Sequence, residues 1–325
     1  MRILFLGGTR FIGPHAVEES RRAGHEVLVF HRGEGCDESG HVHGAFERFD
    51  ESLAELRAFE PEVVVDMLAV RPEHAQRVAS FPSARHAVVP SSQDVYRAFG
   101  RIWKTEPGEP DPIPLDEDAP LREVVIHEDY NKTGLEAELE RLDLPVTILR
   151  LAAVYGPGDY QHRLWSYLKR MDDERPAILV DQRAADWRWA RGYVDDMAHA
   201  VALAVRHEPA ATRAYNVAEP EAFSEREWAQ RIAEAVGWEG EFVAAPAAAL
   251  PEYLRQDAFD LSQEFVVDTG RIRSELGYAE TVDPEDALRR TIEWERANPP
   301  GPEYRIPGFE DRFDYAAEDA ALAAS

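Results

Sequence analysis

Residues 2–13, "RILFLGGTRFIG", run a short apolar segment straight into two glycines and then into a helical pattern. The same order of an apolar run followed by a helix recurs along the first half. "HEVLVFHR", "PEVVVDMLA", "RHAVVPSS" and "LPVTILRL" read as strands, separated by helical stretches such as "ESLAELRAF", "PEHAQRVASF" and "YNKTGLEAELERL". Strands apolar at nearly every position need cover on both faces, and strands separated by helices pair in parallel rather than as hairpins. With right-handed crossovers the only economical solution is an α/β, doubly wound parallel sheet.

The second half is less regular. "LWSYLKRMDD", "VDDMAHAVALAVRH" and "DPEDALRRTIEWERAN" read as helices, and "SEREWAQRIAEAVG" as a helix opened by a capping box of Ser224 and Glu227. These patterns predict a smaller C-terminal α/β substrate domain. The expected division gives residues 1–155 and 192–218 to the Rossmann-type sheet, 156–191 and 219–298 to the cap, and 299–325 to a tail that packs in part.

Charge narrows the partners. Thirty-six basic residues stand against 62 acidic ones, a net charge of −26, and only Lys104, Lys132 and Lys169 are lysines. Such a surface repels phosphate backbones and anionic lipid, which argues against DNA and membrane partners. No run approaches the roughly 18 apolar residues of a membrane helix, and the single cysteine, Cys36, reads as a loop residue. A cytoplasmic protein is the expectation. His41 and His43 in "HVHG" lack a neighbouring acid or cysteine cluster, so an exposed loop and no metal site are expected.

Gly7 and Gly8 stand where the first strand meets its helix, the place at which an open parallel sheet binds ligands. Glycine permits the tight turn and lets backbone N–H groups approach a pyrophosphate at the helix N-terminus. Gly13 allows the helix to pack closely. Arg10 lies inside this turn, and the second strand ends in His31 and Arg32, where NAD-binding proteins carry an acid for the ribose 2′-hydroxyl. Two arginines at that corner fit the 2′-phosphate of NADP, with NAD as the second choice. Arg32 in a merely solvated turn is the other reading.

The chain resembles the extended short-chain dehydrogenase/reductases, the NAD(P)-dependent epimerase/dehydratase family. "GGTRFIG" resembles its glycine motif, with Arg10 in place of the middle glycine, and "PEVVVDMLA", "VVPSSQDVY", "ILRLAAVYGPGD", "RGYVDDMAHAVALAV" and "VVDTGRIRSELGY" follow in the family's order. The resemblance implies cofactor contacts from Gly7, Thr9, Arg10, Phe11, Ile12, Gly13, Arg32, Asp50, Leu68 and Lys132. It implies a Ser/Tyr/Lys catalytic set, carried here by Ser92, Tyr130 and Lys132. The family spaces tyrosine and lysine four apart on one helical face, whereas Tyr130 and Lys132 are two apart. On a regular helix that is about 200°. Three readings stand: Tyr130 precedes the regular helix and still reaches the nicotinamide; Glu128 takes the acid/base role with a pKa raised by burial; or the chemistry is lost.

Tyr155, Arg163, Trp189 and Arg191 are expected at the domain junction, where guanidinium and aromatic groups suit a nucleotide sugar or a related small molecule. Packing residues and internal ion pairs are the plainer account of the same side chains. The resemblance also suggests a homodimer through the helix near 130–142. An NADP-dependent epimerase/dehydratase-like or reductase enzyme leads. A catalytically impaired NADP-binding sensor or scaffold, and an RNA-binding relative, are the alternatives.

Overall fold

Val63, Val64 and Val65 are all fully buried, which a single strand achieves only when helices cover both of its faces. The computed structural model describes residues 1–33, 40–301 and 313–324. Cys36 and residues 302–312 of the expected tail lie outside the described residues.

The strands are β1 (Arg2–Leu6), β2 (Glu26–His31), β3 (His41–His43), β4 (Val63–Asp66), β5 (His86–Ser92) and β6 (Val146–Leu151), followed by β7 (Ala153–Tyr155), β8 (Ala177–Asp181), β9 (Arg191–Tyr193), β10 (Arg213–Val217) and β11 (Glu241–Ala245). The helices used below are α1 (Ile12–Arg22), α2 (Phe49–Ala58), α3 (Ala75–Ala79), α4 (Arg97–Ile102), α5 (Lys132–Leu139), α6 (Trp165–Asp172), α7 (Gln182–Ala185), α8 (Val194–Arg206), α9 (Glu225–Val236), α10 (Gly270–Leu276), α11 (Pro284–Ala297) and α12 (Tyr315–Ala324).

Seven strands form one parallel sheet in the order β10-β6-β5-β4-β1-β2-β3. The chain winds outward from β1 to β3, then returns to β4 on the other side of β1. A crevice opens at that reversal, beyond the carboxyl ends of β1 and β4. Period-two alternation divides the core. Ile3, Phe5, Val27, Val63 and Val65 face α1 and α8, while Leu4, Leu6, Phe30 and Val64 face α2, α3 and α5.

The smaller lobe carries the parallel pair β8–β11 with α6, α7 and α9. Ser224 caps α9 through the capping box that the sequence predicts. The described part of the tail is tied in firmly. Arg170 of α6 donates to both oxygens of Glu318 on α12, at 3.1 and 2.6 Å, and Tyr253 donates to the same carboxylate at 2.9 Å. Both members of this ion pair are almost wholly buried.

One expectation is corrected. His41 and His43 do not occupy an exposed loop: they flank Val42 in strand β3, and His41 Nδ1 lies 3.0 Å from His31 Nε2. Parallel pairing of β3 with β2 brings the three rings together, as Val29 pairs with His41 and His31 with His43. Among the described residues no helix is long and apolar enough to cross a membrane.

Removing one partner of a buried ion pair costs about 3–5 kcal/mol, because the other charge stays buried alone. Glu318→Ala is therefore expected to lower the urea midpoint by an amount of that order. An unchanged midpoint would show that α12 does not dock in solution.

Candidate functional site

The turn after β1 is built around close contacts that exclude side chains. Gly7 and Gly8 have φ of +85° and +101°, a region L-residues avoid. A Cβ on Gly13 would lie 2.4 Å from the Gly8 Cα, so α1 meets the turn at backbone distance. Gly7 N donates to Phe30 O at 2.8 Å and ties the turn to the end of β2. The first turn of α1 has no side-chain cap, Gly13 N donates to Arg10 O at 3.0 Å and Pro14 has no N–H, so the Ile12 N–H is the one this turn can offer an anion. Leu68, 41% exposed, sits against Gly7 from the loop after β4. Phe11 and Ile12 open α1, and Thr9 is exposed.

Arg10 and Arg32 are both exposed and form no hydrogen bond or ion pair with any described residue. They follow two adjacent strands, since Leu6 pairs with Phe30 in the sheet register. The position at the end of β2 holds His31, buried, in place of an acid. Asp50 lies exposed in the first turn of α2, beyond the edge strand β3.

The candidate reacting groups come from the ends of β5 and α5. Ser92 closes β5, and its Oγ accepts the Asp94 N–H at 3.2 Å. Asn131 caps α5 by accepting the Gly134 N–H at 2.9 Å, so regular helix begins only at Lys132. Tyr130 therefore precedes the helix, where the 200° rule does not hold. Its hydroxyl lies close enough to Ser92 and Asp94 for both to act on its ionisation. Lys132 Nζ donates to Ala69 O at 2.7 Å and Pro90 O at 2.8 Å. It thus bridges the loop that carries Leu68 and the strand that carries Ser92. Glu128 is exposed and lacks the burial that the second reading of this segment required.

Asp94 belongs to this cluster and escaped the sequence reading. "SSQDVY" contains it two residues after Ser92, but nothing in one sequence shows that a short turn folds the carboxylate back over the serine. Burial raises its pKa, with Arg122 partly offsetting the effect. Burial and then the Asp94 charge push the Tyr130 phenol well above the usual tyrosine range. Burial lowers Lys132 to about 8, against the attraction of Asp94, Asp66 and Glu136. Beneath the cluster Ser91 donates to Glu136 at 2.5 Å, and Arg150 holds the same carboxylate at 2.7 Å.

Ser92, Asp94 and Tyr130 open into a cleft of about 840 Å³ between the sheet edge and the smaller lobe. Tyr155, Arg163, Trp189 and Arg191 also line it. Three of these four are engaged internally. The Tyr155 hydroxyl donates to Glu219 at 2.7 Å, Arg163 to Asp159 at 2.7 Å, and Arg191 to Glu225. Trp189 is half-buried. Among the described residues no group of three histidine, cysteine or acidic side chains is arranged to hold a metal.

A doubly wound parallel sheet with an open glycine turn at its topological switch defines a dinucleotide-binding α/β protein. Residues 104–218 match the model of the NAD dependent epimerase/dehydratase family. A dTDP-glucose 4,6-dehydratase from Streptomyces griseus is 26% identical over 294 residues, covering 83% of this chain and 78% of that protein. The structure also superposes on the UDP-glucose 4-epimerase of Thermotoga maritima solved with UDP-glucose (TM-score 0.66, 21% identity, 91% of this chain and 99% of that one). A similar likeness holds for the Bordetella bronchiseptica enzyme WbmG in complex with NAD (TM-score 0.65, 22% identity, 92% and 94%). The chain is thus similar to members of the NAD dependent epimerase/dehydratase family, whose model matches its residues 104–218.

The lowered Lys132 pKa carries a stability signature. Between about 8 and the ordinary lysine value near 10.4, the unfolded chain binds the proton and the folded one does not, so stability from this group rises with pH across that window. Thermal melts of wild type and Lys132→Met are expected to differ by a term that favours wild type increasingly from pH 8 to 10. Parallel profiles would place the ammonium in a wetter setting.

Proposed function

We propose that this protein is an NADP-preferring enzyme of the epimerase/dehydratase type, with NAD as a weaker cofactor. It acts on a hydroxyl or carbonyl carbon of a nucleotide sugar or a related small molecule. The observation that carries the reading is the continuous run of contacts from the glycine turn to the reacting cluster. Gly7 touches Leu68; Lys132 binds the carbonyl of the next residue, Ala69, and that of Pro90; Ser92 and Tyr130 follow.

The residues present suit the cofactor. Gly7, Gly8 and Gly13 make a turn too tight for any Cβ, and the uncapped start of α1 at Ile12 turns the positive end of the helix toward a pyrophosphate. Arg10 and Arg32, without partners among the described residues, are the groups for a 2′-phosphate. A bound nicotinamide would supply hydride transfer. The chain supplies the proton chemistry. Tyr130, held neutral by burial and by Asp94, donates a proton to the reacting oxygen. Ser92 hydrogen-bonds that oxygen and fixes its position. Asp94, its pKa raised by burial, takes up the proton that Tyr130 carries in the opposite direction. Lys132, with two donors committed to backbone carbonyls, keeps a third for the cofactor ribose.

The sensor or scaffold reading shares the cofactor site and differs in chemistry alone, so turnover separates the two. Hydrogen bonds to charged groups contribute about 1.5–3 kcal/mol, which is about 10- to 100-fold in affinity. Arg32→Ala is expected to weaken NADPH binding by such a factor, followed by nicotinamide fluorescence, and to leave NADH binding unchanged. An equal effect on both nucleotides would remove the 2′-phosphate assignment. Tyr130→Phe should keep NADPH affinity and lower turnover about 100-fold or more. Full turnover in that variant would take the proton role away from Tyr130.

A further inference from the structure

Among the described residues, every basic side chain lining the cleft is already paired with a carboxylate of this chain. Arg163 binds Asp159 and Lys169 binds Asp173, both at 2.7 Å. Arg170 binds Glu318 at 2.6 Å, Arg191 binds Glu225, and His162 Nδ1 lies 2.6 Å from Glu295. Asp159, Glu318 and Glu295 are fully buried. A diphosphate drawing on Arg163 or Arg170 would leave a buried carboxylate uncompensated, which is strongly unfavourable.

One wall of the cleft is aromatic, while Gln161, Ser166 and Gln256 are among the uncharged polar groups that line it elsewhere. Phe99, Trp103, Trp187, Trp189, Phe259 and Phe265 all line it. Trp103 meets Phe259 with ring centroids 4.8 Å apart, Phe99 meets Phe265 at 5.8 Å, and Trp187 meets Trp189 at 5.6 Å. These rings brace one another and hold a rigid wall. The Trp187 indole N–H is spent on Gln263 O at 2.7 Å, so that ring offers apolar surface rather than a donor. The wall starts close to the reacting cluster, because α4 begins at Arg97, five residues after Ser92.

We infer that the non-reacting end of the substrate is an uncharged, planar apolar group, an aromatic or fused ring, seated on this wall while its alcohol or carbonyl carbon reaches Ser92 and Tyr130. A nucleobase is also planar, but in a nucleotide sugar it arrives joined to a diphosphate, for which the cleft offers no uncommitted cation among the described residues. The inference rests on the function proposed above and chooses between the substrate classes it contains.

The test is calorimetric and uses the full chain saturated with NADPH, titrated with 2-naphthylmethanol and separately with UDP-glucose. The naphthyl alcohol is expected to bind at least tenfold more tightly. Trp103→Ala should weaken it by tenfold or more, Trp103→Phe should restore most of the loss, and both variants should keep wild-type NADPH affinity as a check on folding. Tighter binding of UDP-glucose, or naphthyl binding indifferent to Trp103→Ala, overturns the inference and leaves the cofactor site standing. Failure of NADPH itself to bind overturns both.

Discussion

The guanidinium of Arg150, buried near the carboxyl end of β6, ties several separate elements of this molecule together. It grips Glu136 of α5, donates to the Tyr96 hydroxyl at 3.0 Å and to Glu117 O at 2.8 Å, and lies over the Tyr96 ring. Tyr96 in turn donates to Asn216 of β10, and Glu136 accepts from Ser91 of β5. A buried ion pair contributes little net stability against an apolar alternative, yet losing one member is severe. Its effect is therefore on geometry. Three neighbouring strands and the helix that carries Lys132 are held in one arrangement directly below the reacting cluster.

That arrangement explains how an irregular sequence motif still assembles a site. Two residues separate Tyr130 from Lys132, a spacing that would turn them apart on a helix. The Asn131 cap moves the helix start past the tyrosine, so the two side chains reach the same strand end by different routes. The electrostatics change with the geometry. Lys132 spends two donors on the carbonyls of Ala69 and Pro90, while Tyr130 faces the Asp94 carboxyl. Burial and the Asp94 charge together keep the Tyr130 phenol protonated.

The excess of acid has a structural use. Many arginines of the smaller lobe are matched with carboxylates, some of them fully buried, as in Arg170–Glu318 and Arg163–Asp159. Against that background the two arginines at the glycine turn stand apart, exposed and without partners among the described residues. Positive charge is thus neutralised where the substrate would lie and left available at the corner where the cofactor would place a phosphate. The net charge of −26 describes neither place. Local pairing decides both.

The fold was legible because it rests on local patterns. Apolar runs such as "RILFL" and "PEVVVDMLA" need cover on two faces, and the helices between them supply it. The glycine turn was legible for the same reason, since positive φ and backbone contact both select glycine at Gly7, Gly8 and Gly13. What the sequence could not show are the meetings of residues far apart in the chain. Lys132 with Ala69 and Pro90, Arg170 with Glu318, and His31 with His41 in an edge strand all depend on how separate elements pack. The position of Asp94 over Ser92 depends on one short turn whose direction no periodicity records. By itself the sequence determined the doubly wound sheet and the place of its ligand crevice, because backbone hydrogen bonding and apolar burial follow near-neighbour patterns. Only the tertiary structure decided which charges are spent and which are free, because ion pairing depends on distance in space and not along the chain.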